Sequence, residues 1–411
     1  MSTKQTHPVV VTGWGAVSAF GWGEHCLAPV FSGQTAIAQH PLSPLPGSSE
    51  LWAAKVIEGL PAGVFDRRVE DADRVTQMSV FAASEAMHMA GIDPRWVGLL
   101  GWGTGFGGAA TLDEAYQRLF LGKHDLSGRV SPLTVPKAMS HASAAGIAGW
   151  AKFSCPAMTY SNACASSAIA IGEAMLAIAH GRCDIAVVGG SEALIVPGVV
   201  KAWESLGALA KLKPGDADAA WLGPFDQGRE GLVLGEGAAC LVLESESHAQ
   251  SRGATILARC LGYAQITDPE CITHPHTAPQ LRTMCAALEQ AGVKADEVSY
   301  VNAHATGTRA GDASEIDALN TLFGESQTLV SSTKGATGHL MGAAGAMEAI
   351  LSIKALHLEK CPPNTGVNLL DSQIRFESPL QAQALPSSGV CLSNSFAFGG
   401  TNVSLVFKAH E

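Results

Sequence analysis

The chain has 411 residues, 47 % of them hydrophobic, and carries a net charge of −11. That length buries a large core and allows two or three domains, while the acidic balance argues against nucleic acid or an anionic membrane as the main partner. No apolar run is long enough to span a bilayer and the first eight residues hold no signal-type apolar stretch, so a cytoplasmic protein with reduced thiols is expected from its ten scattered cysteines.

Residues 9–15 (VVVTGWG) are a β-branched run closing on glycine and predict a buried strand. Gly13 and Gly15 lack the third glycine and the ribose-binding acid of a dinucleotide loop. Val75, Met78, Phe81, Ala82, Ala86 and Met89 recur at helical spacing up to Gly91, and a strand is predicted over 97–102, opening into 103–108 (GTGFGG). Residues 162–167 (NACASS) run into the apolar stretch 168–176, which places Cys164 at the lip of a helix. Unpaired N–H groups and the helix dipole there favour thiolate, although a free cysteine taken by itself is usually a small buried hydrophobe. A strand over 184–191 follows, then two turn-rich loops at 211–223 and 268–279, and late strands at 390–394 and 403–407.

The second half echoes the first. Ala86, Ala90, Gly91 and Val97 recur as Ala287, Ala291, Gly292 and Val298 at an offset of 201. A second pairing, at 175, sets Cys164 (nine before Glu173) against His339 (nine before Glu348). The difference predicts a 26-residue insertion between Val97 and Cys164, with Cys164 and His339 at matching helix starts. Chance similarity between two alanine-rich helices is the alternative. Strands alternating with helices in both halves indicate an α/β fold with helix-covered sheets.

Three polar clusters sit at strand ends or helix starts: Cys164 with its neighbours, residues 302–308 (NAHATGT) around His304, and 331–339 (SSTKGATGH) ending in His339. Ligands in α/β sheets bind at the carboxyl ends of strands, so the clusters can converge. One cysteine with two histidines suggests covalent thioester chemistry. Zinc competes for the same residues, but close-spaced ligand pairs and a fourth ligand are missing. His25, His40 and His410 lie outside such junctions.

Residues 162–167, 302–308, 334–345 (KGATGHLMGAAG) and 394–402 (NSFAFGGTN), with 224–237 (PFDQGREGLVLGEG), together resemble the elongating β-ketoacyl-acyl carrier protein synthases of Cys-His-His type, in the thiolase superfamily. The resemblance covers essentially the whole chain. It implies a thiolase-like, five-layered αβαβα fold of two duplicated halves, 1–255 with the nucleophile and 256–411 with both histidines, normally as a homodimer. By the same resemblance, Cys164 takes an acyl group from acyl carrier protein. His304 and His339 stabilise charge as malonyl-carrier protein loses carbon dioxide, and the N–H groups of Cys164 and Phe398 form an oxyanion hole. Lys334 pairs with Glu348 and orders the histidines, and Thr306 and Thr308 hold the phosphopantetheine arm of the carrier protein, so no cofactor of the chain's own is implied. Asn302, Glu348 and Asn394 resemble positions beside a structural cation in some relatives, although no metal is expected for the chemistry.

Glu348, Phe106 and Trp203 are expected around the substrate. The two aromatics are bulkier than their usual counterparts and predict short or flat acyl chains. Ala305 and Ala397 stand where the family commonly has glycine. Arg67, Arg68, Arg74, Arg129 and Lys211 correspond to a carrier-protein docking face. Within the fold, a ketosynthase of a specialised polyene or polyketide pathway is the alternative. A coenzyme A-dependent thiolase would need a second cysteine before a glycine-rich turn, which Cys391 does not provide, and a non-catalytic subunit would lack Cys164.

Overall fold

The computed structural model describes residues 7–42, 50–120, 129–211, 221–270, 272–386 and 389–410. Two sets of five strands carry it. The first is Val9–Ser18 (β1), Leu99–Gly103 (β2), Ala157–Tyr160 (β3), Ile185–Glu192 (β4) and Gly237–Ser245 (β5). The second is Ala258–Thr267 (β6), Tyr300–Asn302 (β7), Leu329–Ser331 (β8), Val390–Phe396 (β9) and Thr401–Ala409 (β10). Their spatial order is β8-β7-β9-β10-β6-β1-β5-β4-β2-β3. Read outward from the β1/β6 junction, both sets follow one topology, β1-β5-β4-β2-β3 and β6-β10-β9-β7-β8. The halves join antiparallel through only three residue pairs, Val9/Cys260, Val10/Arg259 and Val11/Ala258.

Five helices complete the layers: Arg74–Ala90 (α1), Ser166–Ala179 (α2), Thr277–Ala291 (α3), Arg309–Phe323 (α4) and Ala344–His357 (α5). α1 covers the outer face of β1, β5 and β4, and α3, flanked by α4, covers β6 and β10. Between the two sets of strands, α2 packs on β2 and β4, α5 on β9 and β10, and both on each other. This is the five-layered, thiolase-like α/β arrangement. A helix apolar all round must be buried all round, and α5 shows it: from Ala344 to Ile353 every residue is buried. α1 and α3 bury one face and end on left-handed glycines, Gly91 at φ 63° and Gly292 at φ 65°.

The inner helices differ from the sequence expectation in one respect. Each has fourteen residues and follows a three-residue 3₁₀ turn, Ala163–Ala165 before α2 and Met341–Ala343 before α5. Ala163, Ser166 and Ala179 thus match Met341, Ala344 and His357 at an offset of 178. The mate of Cys164 is Gly342, and His339 lies three residues earlier, in the approach to the turn. The drop from 201 to 178 makes the first-half insertion 23 residues, and its described part holds the helices Ala109–Phe120 and Thr134–Ala138. Spacing to a glutamate one helix turn out of step produced the other register. Pro279, read as loop, instead occupies the first turn of α3, where a missing N–H costs nothing. Of the loop at 211–223, residues 212–220 lie outside the described set.

Small residues set how close the central layer packs. A Cβ on Gly345 of α5 would stand 2.7 Å from the Ala168 Cβ of α2, and one on Gly103 of β2 only 2.3 Å from the Ser167 nitrogen. Gly345→Val is therefore expected to cost about 1–3 kcal/mol through overpacking, read as a lower urea midpoint at unchanged slope. An unchanged midpoint would mean the helices have slack here.

Candidate active site

Cys164 sits inside the 3₁₀ turn that feeds α2, after Ala163 at φ 48°, and the turn before α5 opens on Met341 at φ 47°. Left-handed backbone at a non-glycine residue is costly and persists only where the surroundings enforce it. Here it swings both turns toward the seam between the inner helices. His339 enters that seam from the 334–338 segment, its N–H fixed on the Val233 carbonyl at 2.8 Å. His304 follows β7, where the Glu315 carboxylate on α4 accepts the N–H groups of His304 at 2.9 Å and Ala305 at 2.6 Å.

The ligating atoms of Cys164, His304 and His339 lie within 4.8 Å of one another, and all three residues are buried. His339 Nε2 is 3.0 Å from Cys164 Sγ. The Met341 N–H donates to His339 Nδ1 at 3.3 Å, so the neutral ring carries its proton on Nε2 and presents it as a donor. His339 is therefore placed to donate to sulfur or to an oxygen beside it. The same bond argues against zinc, because a ligating imidazole offers a bare nitrogen to the metal and donates from the other. The His304 ring meets His339 edge-on, with centroids 5.3 Å apart, and its Nδ1 is buried with no hydrogen-bond partner among the described residues.

Burial, with the Lys334 charge adding to it, holds both histidines well below the ordinary imidazole range, so both are neutral donors. Burial also pushes the Cys164 thiol up to about 12, with Lys334 as the opposing influence. This corrects the sequence expectation of a ready thiolate: desolvation outweighs the helix lip, and the resting sulfur is a thiol. Lys334 and Glu348 form a buried, hydrogen-bonded ion pair. Burial raises Glu192, Glu315 and Glu348 each to about 7. Of the residues resembling a cation-binding position, Asn302 Oδ1 and Glu348 Oε2 have no hydrogen-bond partner among the described residues, but Glu348 is paired with Lys334 and Asn394 Oδ1 is occupied by the Ser404 hydroxyl.

A cavity of about 320 Å³ leads to the sulfur. Its lining includes Cys164, His304, His339, Thr306, Thr308, Trp203 and Phe398. The Trp203 and Phe398 rings stack there, centroids 5.9 Å apart at 27°. The Thr306 and Thr308 hydroxyls are 3.1 Å apart, and the Phe398 N–H makes no hydrogen bond to any described residue. Two expected substrate neighbours are placed elsewhere. The Phe106 ring is not part of this lining and is 49 % exposed, and Glu348 lies behind the histidines on Lys334. Of the basic residues, Arg129 and Lys211 are exposed, Arg67 and Arg68 are exposed but paired with Asp71 and Asp66, and Arg74 is turned inward onto Glu236. Sequence reasoning missed Glu192 and Glu315. Their only sequence signals are an acid one position beyond a predicted buried strand and another eleven residues after His304.

A cysteine in the turn before one inner helix, a neutral histidine in the approach to the other and a second neutral histidine following β7, in a duplicated five-layer fold, define a ketosynthase-type acyltransferase. The sequence matches the beta-ketoacyl synthase N-terminal domain over residues 6–249 and the C-terminal domain over 257–368, so the chain belongs to the beta-ketoacyl synthase family. It is 35 % identical to Nodulation protein E of Rhizobium meliloti (strain 1021), covering 97 % of this chain and 98 % of that one. It is 34 % identical to 3-oxoacyl-[acyl-carrier-protein] synthase 2 of Staphylococcus aureus (strain COL), covering 99 % and 100 %. Among solved structures it resembles the ishigamide ketosynthase/chain length factor, with TM-score 0.89, 28 % identity, and 99 % of this chain and 100 % of that one covered.

Lowered histidine values defer proton uptake to more acid solution. The ring resonances of His304 and His339 are therefore expected to stay flat from about pH 8 to pH 6. An inflection of either ring at or above pH 6.5 in an NMR titration would contradict the neutral-donor reading.

Proposed function

We propose that the chain is a 3-oxoacyl-[acyl-carrier-protein] synthase that condenses an acyl thioester with malonyl-acyl carrier protein through an acyl-Cys164 intermediate. The observation that carries this is the Nε2–H of His339 aimed at Cys164 Sγ from 3.0 Å, with His304 converging on the same cavity. In the first half-reaction the Cys164 sulfur attacks the thioester carbonyl and the oxyanion forms against the N–H groups of Cys164 and Phe398. The carrier's sulfur then leaves with the thiol proton. In the second, the C–C bond to the malonyl carboxylate breaks, carbon dioxide departs, and the electron pair moves toward the thioester oxygen, where the two imidazole N–H groups donate. The resulting carbanion attacks the acyl carbonyl, the bond to Cys164 sulfur breaks, and the released thiolate takes a proton from solvent to restore the thiol. Removing one such donor typically costs roughly 3–4 kcal/mol of barrier. Lys334, held by Glu348, keeps the histidines neutral, and Thr306 and Thr308 take the pantetheine arm. That arm belongs to the substrate, so the chain needs no cofactor of its own.

Fatty acid synthesis is the first reading of the pathway, in a cytoplasmic setting; no described helix is long and apolar enough to cross a membrane. The Trp203–Phe398 stack favours a second, a specialised ketosynthase taking short or unsaturated chains. Likeness to Nodulation protein E and to ketosynthases solved with a chain length factor supports the same direction. The nucleophile half is assigned to 1–255 and the histidine half to 256–411. Carrier protein would dock on the exposed guanidinium and ammonium groups of Arg67, Arg68, Arg129 and Lys211.

A homodimer is supported by apolar side chains that a monomer would leave wet, Leu112, Tyr116, Phe120, Leu133 and Met158, each at least 40 % exposed, and by the outer edge of β3, which pairs with no strand among the described residues. Pairing with a related subunit would cover the same side chains.

Intact-mass spectrometry after incubation with a panel of acyl-carrier proteins tests the reading. The wild type should gain the mass of one acyl group, and Cys164→Ala none. A Cys164→Ala protein that still gains the group, or still condenses, would overturn it.

A further inference from the structure

Glu192, the last residue of β4, is fully buried and has no part in the chemistry above, yet four donors converge on it. Its Oε2 accepts the N–H of Gly105 at 2.7 Å and of Gly342 at 3.0 Å. Its Oε1 accepts the N–H of Phe106 at 3.0 Å and the Thr104 hydroxyl at 3.4 Å. A single oxygen therefore grips the 104–106 loop of one half and the turn before α5 of the other. Gly342 directly follows Met341, whose N–H sets the His339 tautomer and whose sulfur is 3.8 Å from Cys164 Sγ. The turn has no slack, since a Cβ on Gly342 would stand 2.8 Å from Glu192 Oε2 and 2.6 Å from the Thr104 Cα.

We propose that Glu192 is a positioning residue: by clamping the Met341–Gly342 turn onto the 104–106 loop it aims the His339 donor. The inference rests on the condensing function proposed above. Burial raises this acid, but the four donors aimed at it favour the ionised form, and a carboxylate suits the task because both its oxygens then only accept. Glutamine has the same shape but must present its NH₂ to one pair of those donors, which loosens either the turn or the loop. An aim lost by about 1 Å is enough for a hundredfold loss of rate.

The test separates the half-reactions. Glu192→Gln is expected to lower kcat for condensation at least tenfold, with KM for malonyl-carrier protein within twofold and the rate of Cys164 loading within threefold of wild type. Gly342→Ala, which pushes the turn off the same oxygen, should reproduce that pattern. The double variant should be no worse than the poorer single one, because both break the same contact. Thr104→Val, which removes the longest contact to Glu192 together with the bond its hydroxyl accepts from the Gly107 N–H but leaves the three N–H groups on the carboxylate, should lose less condensation than Glu192→Gln. Wild-type kcat in Glu192→Gln, equal losses of loading and condensation, or additive effects in the double variant would overturn the inference. A wild-type enzyme that loads acyl groups but releases no carbon dioxide from malonyl-carrier protein would instead overturn the function on which it rests.

Discussion

How near two buried helices can come to each other decides whether there is a site at all. α2 and α5 meet with Gly345 against Ala168, and Gly190 of β4 admits the Gly342 carbonyl, where a Cβ would stand 2.6 Å from it. Only at that separation do the two 3₁₀ turns face each other and bring sulfur and imidazole to 3.0 Å. The sheets, the outer helices and the narrow β1/β6 junction hold this central layer in register. Duplication gives the arrangement its economy: two copies of one strand–helix unit supply two similar turns, and divergence within them supplies the different chemistries.

Burial then sets the protonation states. Cys164, His304, His339, Lys334 and the glutamates 192, 315 and 348 share one dry region, where each charge is costly unless paired. Lys334 on Glu348 is the pair that forms, and its positive charge reinforces desolvation in keeping the histidines neutral. The same desolvation raises the thiol, so the resting sulfur keeps its proton and, in the proposed acyl transfer, would give it up only as the thioester is attacked. The site is built from fixed donors more than from resident charges, which suits a reaction whose negative charge is transient.

Much of this was legible in the sequence, and the parts that were not share a cause. β-branched runs and glycine punctuation located β1, β4, β9 and β10, and the constant offset between Gly91 and Gly292 exposed the repeat in the outer helices. The four motifs brought out Cys164, His304 and His339. The register of the inner helices was misread because Glu173 and Glu348 look alike in sequence but sit one turn apart in the two helices. The family resemblance puts Phe106 beside the substrate, whereas its backbone is what reaches the interior, on Glu192. Glu192 and Glu315 bind backbone N–H groups, and such partners leave no side-chain pattern to read. The thiol's state depended on desolvation, which local sequence does not encode.

In the proposed reaction Cys164 holds the acyl group while His304 and His339 together drive decarboxylation. Release of labelled carbon dioxide from malonyl-carrier protein, carboxyl-labelled and supplied to enzyme already acylated on Cys164, tests it most directly. His304→Ala and His339→Ala are each expected to load the acyl group normally but to release carbon dioxide roughly 100- to 1,000-fold more slowly than wild type. Release at the wild-type rate by either variant, or a failure of both to load, would contradict it.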